Sequence, residues 1–214
     1  MITNALTVAQ KLLVARRKEV LAVGLMVLYT LGMIHPANAQ EVTYIIFDPP
    51  GSTSAQPASI NAEGAITGAY SDGQNIHAFL RVRDGTITTF DVPGPTSNPT
   101  PVGINRAGEI AGSYDDPDSV FHGFLRGRDG TLTTFDVPGA TQTVPTGINS
   151  KGEITGYYDD ANDATHGFLR APDGTFTTFD PPGYTGTGPT GINSAGTITG
   201  SVNGHGFVRI EDKR

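Results

Sequence analysis

The sequence predicts an all-β protein: a four-bladed β-propeller of four-stranded antiparallel blades, the last blade closed by the N-terminal strand. Three observations predict it. A long segment recurs, reading HAFLRVRDGTITTFDVPG at 77–94, HGFLRGRDGTLTTFDVPG at 122–139 and HGFLRAPDGTFTTFDPPG at 166–183. The isoleucine of an INxxG motif stands at Ile60, Ile104, Ile148 and Ile192, a step of 44 residues each time. Such a period, filled with 28 Gly and 15 Pro, suits short strands and tight turns. Finally, the two ends complete each other. VTYIIFDPPG from Val42 is a fourth strand lacking its first three, and GINSAGTITGSVNGHGFVRI, ending at Ile210, is the first three lacking a fourth. Joining them leaves no free sheet edge. A self-closing monomer is the expected outcome, and two chains exchanging these ends to form an eight-bladed ring is the rival that the pairing permits equally.

Residues 1–39 stand apart from this pattern. Arg16, Arg17 and Lys18 precede an uncharged apolar run from Val20 to Ile34, followed by the small-x-small triplet Ala37-Asn38-Ala39. That is the pattern of a secretory signal peptide, cleaved before Gln40. The fifteen apolar residues fall short of the roughly 20 that cross a bilayer, so no stable membrane span is expected after cleavage. The protein is therefore expected to be secreted, to the periplasm or beyond, with 40–214 as one domain of four repeats.

Within a repeat, the first strand lies around Thr146–Asn149 and leaves through Asn149-Ser150-Lys151-Gly152. The second is EITGYY, Glu153 to Tyr158. A variable loop leads to the third, HGFLR, whose alternation puts His166, Phe168 and Arg170 on one side. Asp173-Gly174 makes a hairpin turn into the Thr- and Phe-rich fourth strand. Proline in the following FDxPG ends the ladder because it has no N–H to donate.

Cleavage sharpens the charge. Losing Lys11, Arg16, Arg17, Lys18 and Glu19 takes 14 basic and 21 acidic residues to 10 and 20. That balance argues against nucleic acid, whose phosphates need a basic face. Without cysteine there is neither a disulfide framework nor thiol chemistry. In a meander the loops alternate between two faces. One face collects eleven carboxylates, at Asp48, Asp72, Asp91, Asp115, Asp116, Asp118, Asp136, Asp159, Asp160, Asp163 and Asp180, and no Lys or Arg.

The HAFLR and HGFLR strands, with DGTxTTFD and GINxxGEIxG, resemble the HAF repeats of bacterial extracellular proteins over about Val42 to Ile210. The resemblance implies a secreted propeller and brings no catalytic residues. The last repeat departs from it, with HGFVR and a shortened preceding loop.

Residues present in every repeat read as scaffold. Gly68, Gly112, Gly156 and Gly200 are expected to allow close blade packing, and Asn61, Asn105, Asn149 and Asn193 to begin turns. His77, His122, His166 and His205 lie on the third strand, too far from the axis to converge on a metal, and are read as hydrogen-bonding between strands or blades. Arg81, Arg126, Arg170 and Arg209 are expected to pair with carboxylates or carbonyls between blades.

The candidate sites are loop residues. Asp115, Asp116 and Asp118, and likewise Asp159, Asp160 and Asp163, cluster oxygens as calcium prefers, though not at EF-hand spacing. The competing reading is a solvated, turn-forming loop, which the fourth repeat supports by shrinking it to Asn203-Gly204. Asp48, Asp91, Asp136 and Asp180, with Tyr184 and Phe121, are read as a ligand face. The function these features favour is a non-catalytic binding or interaction module, with a polysaccharide, a cell-surface component or a cationic protein as partner. The alternatives are a secreted carbohydrate-active enzyme, a hydrolase or lyase using two of these aspartates, and a structural envelope protein. No pair stands out from the repeat, so no catalytic residue is assigned.

Overall fold

A computed structural model describes residues 42–94 and 98–211. The expected signal peptide and its cleavage point before Gln40 lie outside the described residues. The chain divides into a unit ending at Ile46 and a second running from Phe47. In the first, Val42–Ile46 forms no strand and is exposed. In the second, fifteen strands form four antiparallel sheets. Blade 1 is β1 (Ser54–Ile60), β2 (Ile66–Ser71), β3 (Ile76–Arg81) and β4 (Ile87–Phe90). Blade 2 is β5 (Thr100–Ile104), β6 (Ile110–Asp115), β7 (Phe121–Arg126) and β8 (Leu132–Phe135). Blade 3 is β9 (Gln142–Ile148), β10 (Ile154–Asp159), β11 (Thr165–Arg170) and β12 (Phe176–Phe179). Blade 4 holds only β13 (Thr187–Ile192), β14 (Ile198–Val202) and β15 (His205–Arg209). Among the described residues the N-terminal strand expected to close blade 4 does not form, and the sheet ends at β15.

Local chemistry makes each blade. The asparagine opening the first turn accepts two backbone N–H bonds, as Asn149 Oδ1 does from Lys151 at 2.9 Å and Glu153 at 3.0 Å. Asp173 Oδ1 similarly accepts the Thr175 N–H at 2.9 Å and holds the turn between β11 and β12. β9 starts earlier than expected, at Gln142, because a bulge carries Pro145 through the ladder opposite Gly156. That bulge explains the glycine. A Cβ on Gly156 would stand 2.7 Å from the Phe168 ring and 2.7 Å from Cα of Pro145. The repeated glycines thus serve close approach inside a blade, not the contact between blades expected from sequence.

Blades meet through their cores. Ala65, Val92, Ile104, Ile110 and Phe124 fill the space between blades 1 and 2, and Ala111, Phe135, Val137, Ile154 and Phe168 fill that between blades 2 and 3. Three further contacts recur between blades, the first two of them at every step. Asn61 Nδ2 donates to the Asn105 carbonyl at 3.0 Å, Asn105 to Asn149 at 3.2 Å, and Asn149 to Asn193 at 3.0 Å. The guanidinium of Arg126 lies 4.9 Å over Phe90, that of Arg170 4.8 Å over Phe135, and that of Arg209 4.9 Å over Phe179. The arginines therefore face the preceding blade's aromatic ring, with Nη1 of Arg126 and Arg170 donating to the next carbonyl in their own strand. For Arg126 and Arg170 the expected carboxylate is replaced by a ring quadrupole, which suits a weakly hydrated guanidinium, while Arg209 also pairs with Glu211 at 2.6 Å. Burial pushes the Arg126 and Arg170 guanidinium pKa values down. Last, the residue after FD is buried against the next blade, as Val92 and Val137 are.

Candidate functional site

The strand order puts the β2–β3, β6–β7 and β10–β11 loops on the same face as the segments linking one blade to the next. Ten of the eleven loop-face carboxylates fall within or beside them, and Asp48 lies in the segment that leads into β1. The histidines gather these carboxylates into three stations. In blade 1, His77 Nδ1 lies 2.7 Å from Asp91 and Nε2 lies 3.3 Å from Asp72. In blade 2, His122 bridges Asp136 at 3.0 Å and Asp116 at 3.4 Å. In blade 3, His166 bridges Asp180 at 2.7 Å and Asp160 at 3.5 Å. A tyrosine from the neighbouring strand covers each imidazole, with ring centroids 5.1 Å apart for Tyr70 and His77 and 5.2 Å for both Tyr114–His122 and Tyr158–His166.

The bridge has an electrostatic consequence. A neutral imidazole donates from one nitrogen only, so only the imidazolium can donate to both carboxylates. The hydrogen bond to Asp91 raises the His77 pKa above its ordinary value, and that to Asp180 raises His166 in the same way. Burial works against the charge on His122, but its bonds to Asp136 and Asp116 prevail and its pKa is raised too. On the other side, backbone N–H bonds from Asn75 and Gln74 hold Asp72 down at about 2, with the His77 contact adding to them. Asp116 and Asp160 are lowered, chiefly by the N–H groups of Val120 and Ala164.

These bonds place the six calcium candidates. Asp116 Oδ1 accepts from Asp118 and Val120, and Asp160 Oδ1 from Asn162 and Ala164, so both carboxylates organise their own loops. Asp115 receives Asn98, through its backbone N–H at 3.2 Å and its amide at 3.1 Å. Asp159 receives Gln142 and Thr165. Asp118 and Asp163 are exposed at the loop tips, joining their loops through backbone N–H groups, to Asp116 Oδ1 and the Asp160 carbonyl. Among the described residues no group of three or more His, Cys, Asp or Glu is arranged to hold a metal ion.

The ligand-face candidates divide. Asp91, Asp136 and Asp180 belong to the three stations, and Asp180 also accepts the Thr187 hydroxyl of blade 4. Phe121, which pairs with Asp115 across β6–β7, and Tyr184 stay exposed at 42% and 43%. Asp48 is exposed and has no histidine beside it. Its counterpart His205 has no carboxylate among the described residues, only an edge contact with Tyr184 at 6.1 Å. Sequence reasoning gave the histidines a linking role but missed the tyrosine cover. The signal was present, since Tyr70, Tyr114 and Tyr158 pair directly with the histidines across β2–β3, β6–β7 and β10–β11.

Fold and site together define an all-β protein of propeller blades with a carboxylate-rich, histidine-bridged loop face. No family model matches the chain, and no curated protein matches it. Among solved structures it is similar to a catalytically inactive virginiamycin B lyase from Staphylococcus aureus with quinupristin. That likeness has 16% identity and a TM-score of 0.46, over 74% of this chain and 57% of that one. The chain thus spans little more than half that protein's length. A selenomethionine-substituted virginiamycin B lyase from Staphylococcus aureus gives 13% identity, 72% and 69% coverage and a TM-score of 0.33. A putative gluconolactonase gives 16% identity, 74% and 77% coverage and a TM-score of 0.29. The blade architecture stands on the strand order above, independently of these likenesses.

Proposed function

We propose that the protein is an exported, non-catalytic binding module that holds a polysaccharide against its acidic loop face. One observation carries this reading: the same Asp–His–Asp group under a tyrosine is built three times, at one position per blade, on one face. A repeated acceptor set suits a repeating ligand, because carboxylates accept hydrogen bonds from hydroxyls and a chain of sugars presents hydroxyls at regular intervals. The exposed rings of Phe121 and Tyr184 supply apolar faces beside them. A catalytic pair, by contrast, needs two carboxylates in different environments, one protonated and one not. In all three stations the loop aspartate is held in its charged form by N–H donors or the imidazole.

The test incubates the chain from Gln40 to Arg214 with a panel of insoluble polysaccharides, assaying protein on each pellet and new reducing ends in each supernatant. Retention without new ends is the expected result. New ends would overturn the reading in favour of a hydrolase. Absence of retention on every polysaccharide would remove the glycan, and retention abolished by moderate salt would point to a cationic partner instead.

A further inference from the structure

Blade 4 ends in a vacancy of defined shape. In blade 3, β12 pairs with β11 so that Phe179 lies opposite Gly167 and Thr177 opposite Leu169. A Cβ on Gly167 would meet the Phe179 ring at 2.7 Å, so the glycine is the seat of that ring. Gly206 is the same residue in blade 4, and a Cβ there would find nothing nearer than 4.0 Å. Alongside it, Phe179, Pro181, Pro182, Phe207, Val208 and Ile210 line an open groove. Thr199 is exposed where Thr67 and Thr155 are fully buried.

The chain carries the matching strand. Tyr44-Ile45-Ile46-Phe47-Asp48 aligns with Phe176-Thr177-Thr178-Phe179-Asp180 of blade 3. In that register Phe47 faces Gly206, Ile45 faces Val208, and Asp48 reaches His205. The three apolar residues Tyr44, Ile45 and Ile46 are exposed, as large hydrophobics seldom are without a partner.

Where Phe47 sits decides whose blade 4 the strand can serve. Its ring meets Phe79 edge-on at 6.0 Å, and Arg81 lies 4.8 Å over it. Pro49 is buried as Val92 and Val137 are. Phe47 thus occupies on blade 1 the place that Phe90 occupies on blade 2, that of a strand from a preceding blade. Blade 4 of the same chain does not stand there. Ile60, on the face that would meet a preceding blade, is 65% exposed where Ile104 is 7%. Asn193 is exposed, and the asparagine relay that should continue from its amide to Asn61 stops. A constant step that fails to bring blade 4 onto blade 1 needs more than four blades to close.

We propose that two copies exchange these ends: residues Tyr44–Asp48 of each chain complete blade 4 of the other, giving a closed ring of eight blades. Each uncovered face then meets the surface that its own interior interfaces already pair, and eight lies within the range of propeller rings. The two seams are equivalent under a two-fold axis. Exchange also completes the loop face, since Asp48 of one copy gives His205 of the other the carboxylate that His77, His122 and His166 already have. This inference does not depend on what that face binds.

Because the chain has no cysteine, the test is clean. Ile45→Cys and Val208→Cys are introduced together in the chain from Gln40, and a short bis-maleimide is added to the folded protein. Exchange predicts a denaturing gel dominated by a band of two covalently joined chains. A cross-linked single chain would show self-closure and overturn the proposal, as would a ladder extending beyond two or no cross-link at all. Sedimentation of the unsubstituted chain gives an independent reading. The mass of two copies is expected, and the mass of one, held as concentration rises, contradicts it.

Discussion

Blade 3 and blade 4 share a motif, and they differ in what stands beside it. HGFLR in blade 3 has a fourth strand on one side and the next blade beyond it. HGFVR in blade 4 has neither. As a result Phe168 is fully buried while its counterpart Phe207 is only half-buried, and Leu169 is half-buried while its counterpart Val208 is 64% exposed. His166 lies between two carboxylates, while His205 has none beside it among the described residues. The difference teaches that the repeat specifies an interface more than a sheet. A blade has its full set of contacts only when strands from two repeats, or from two chains, meet.

The largest expected consequence is in the core. Phe168→Ala empties a fully buried site and is predicted to cost about 3–5 kcal/mol in urea unfolding. Val208→Ala, measured at a concentration low enough to keep chains apart, should stay within about 0.5 kcal/mol. A loss well above about 1 kcal/mol at Val208 would mean that blade 4 is covered in the single chain.

The glycines sharpen the contrast. Gly167→Ala drives a methyl into the Phe179 ring and is predicted to cost about 1–3 kcal/mol. Gly206→Ala meets nothing closer than 4.0 Å in its own chain. Its effect should fall on association, with the two-copy species lost in sedimentation while the unfolding midpoint of the dilute chain is unchanged.

A smaller effect belongs to the asparagine relay. Asn149 is buried at 4% and bonds both its own turn and the next blade, so Asn149→Ala should cost about 1–3 kcal/mol in thermal unfolding. Asn193→Ala removes only the turn bonds and should cost less than half as much.

The smallest effect is a dependence on pH. His77 has a folded pKa raised above 6.5, so its contribution is fully present below pH 6.5 and is lost as pH rises through the folded value. Asp72 is lowered from 3.8 to about 2, so its contribution is present above 3.8 and is lost as pH falls toward 2. The station is therefore complete between about pH 4 and 6.5. His77→Gln should flatten the fall in unfolding midpoint above that window, and a slope equal to that of the unsubstituted protein would dissociate the histidine from it.

Much of this was legible in the sequence. The period of 44 residues, the Asn and Asp-Gly turns and the pairing of FDxPG with the HGFLR strand are local or repeated features, written in the chain itself. The acidic face followed from strand order alone. What escaped was set by packing between blades. Nothing in the residue types says that Arg126 prefers the Phe90 ring to a carboxylate, because that choice depends on how dry the seam is. The role of Gly156 depended on a bulge at Pro145 that shifts register within the blade. The loop clusters hold a use that composition does not give. Oδ1 of Asp116 and of Asp160 accepts nearby N–H groups and Oδ2 of each faces a histidine, contacts set by loop geometry and not by residue type. Which chain closes blade 4 is not written in the sequence either, because complementary ends fix which strand fits which edge and leave open whose edge it is.

In the function proposed above, the loop face acts as a series of equal stations and not as one active centre. That reading is tested most directly by changing Asp91, Asp136 and Asp180 to Asn singly, in pairs and all together, and measuring retention on the polysaccharide that holds the unsubstituted protein. Stepwise weakening by a similar factor for each station is the predicted result. Complete loss from one substitution, with the other two silent, would contradict it and mark that aspartate as part of a single site.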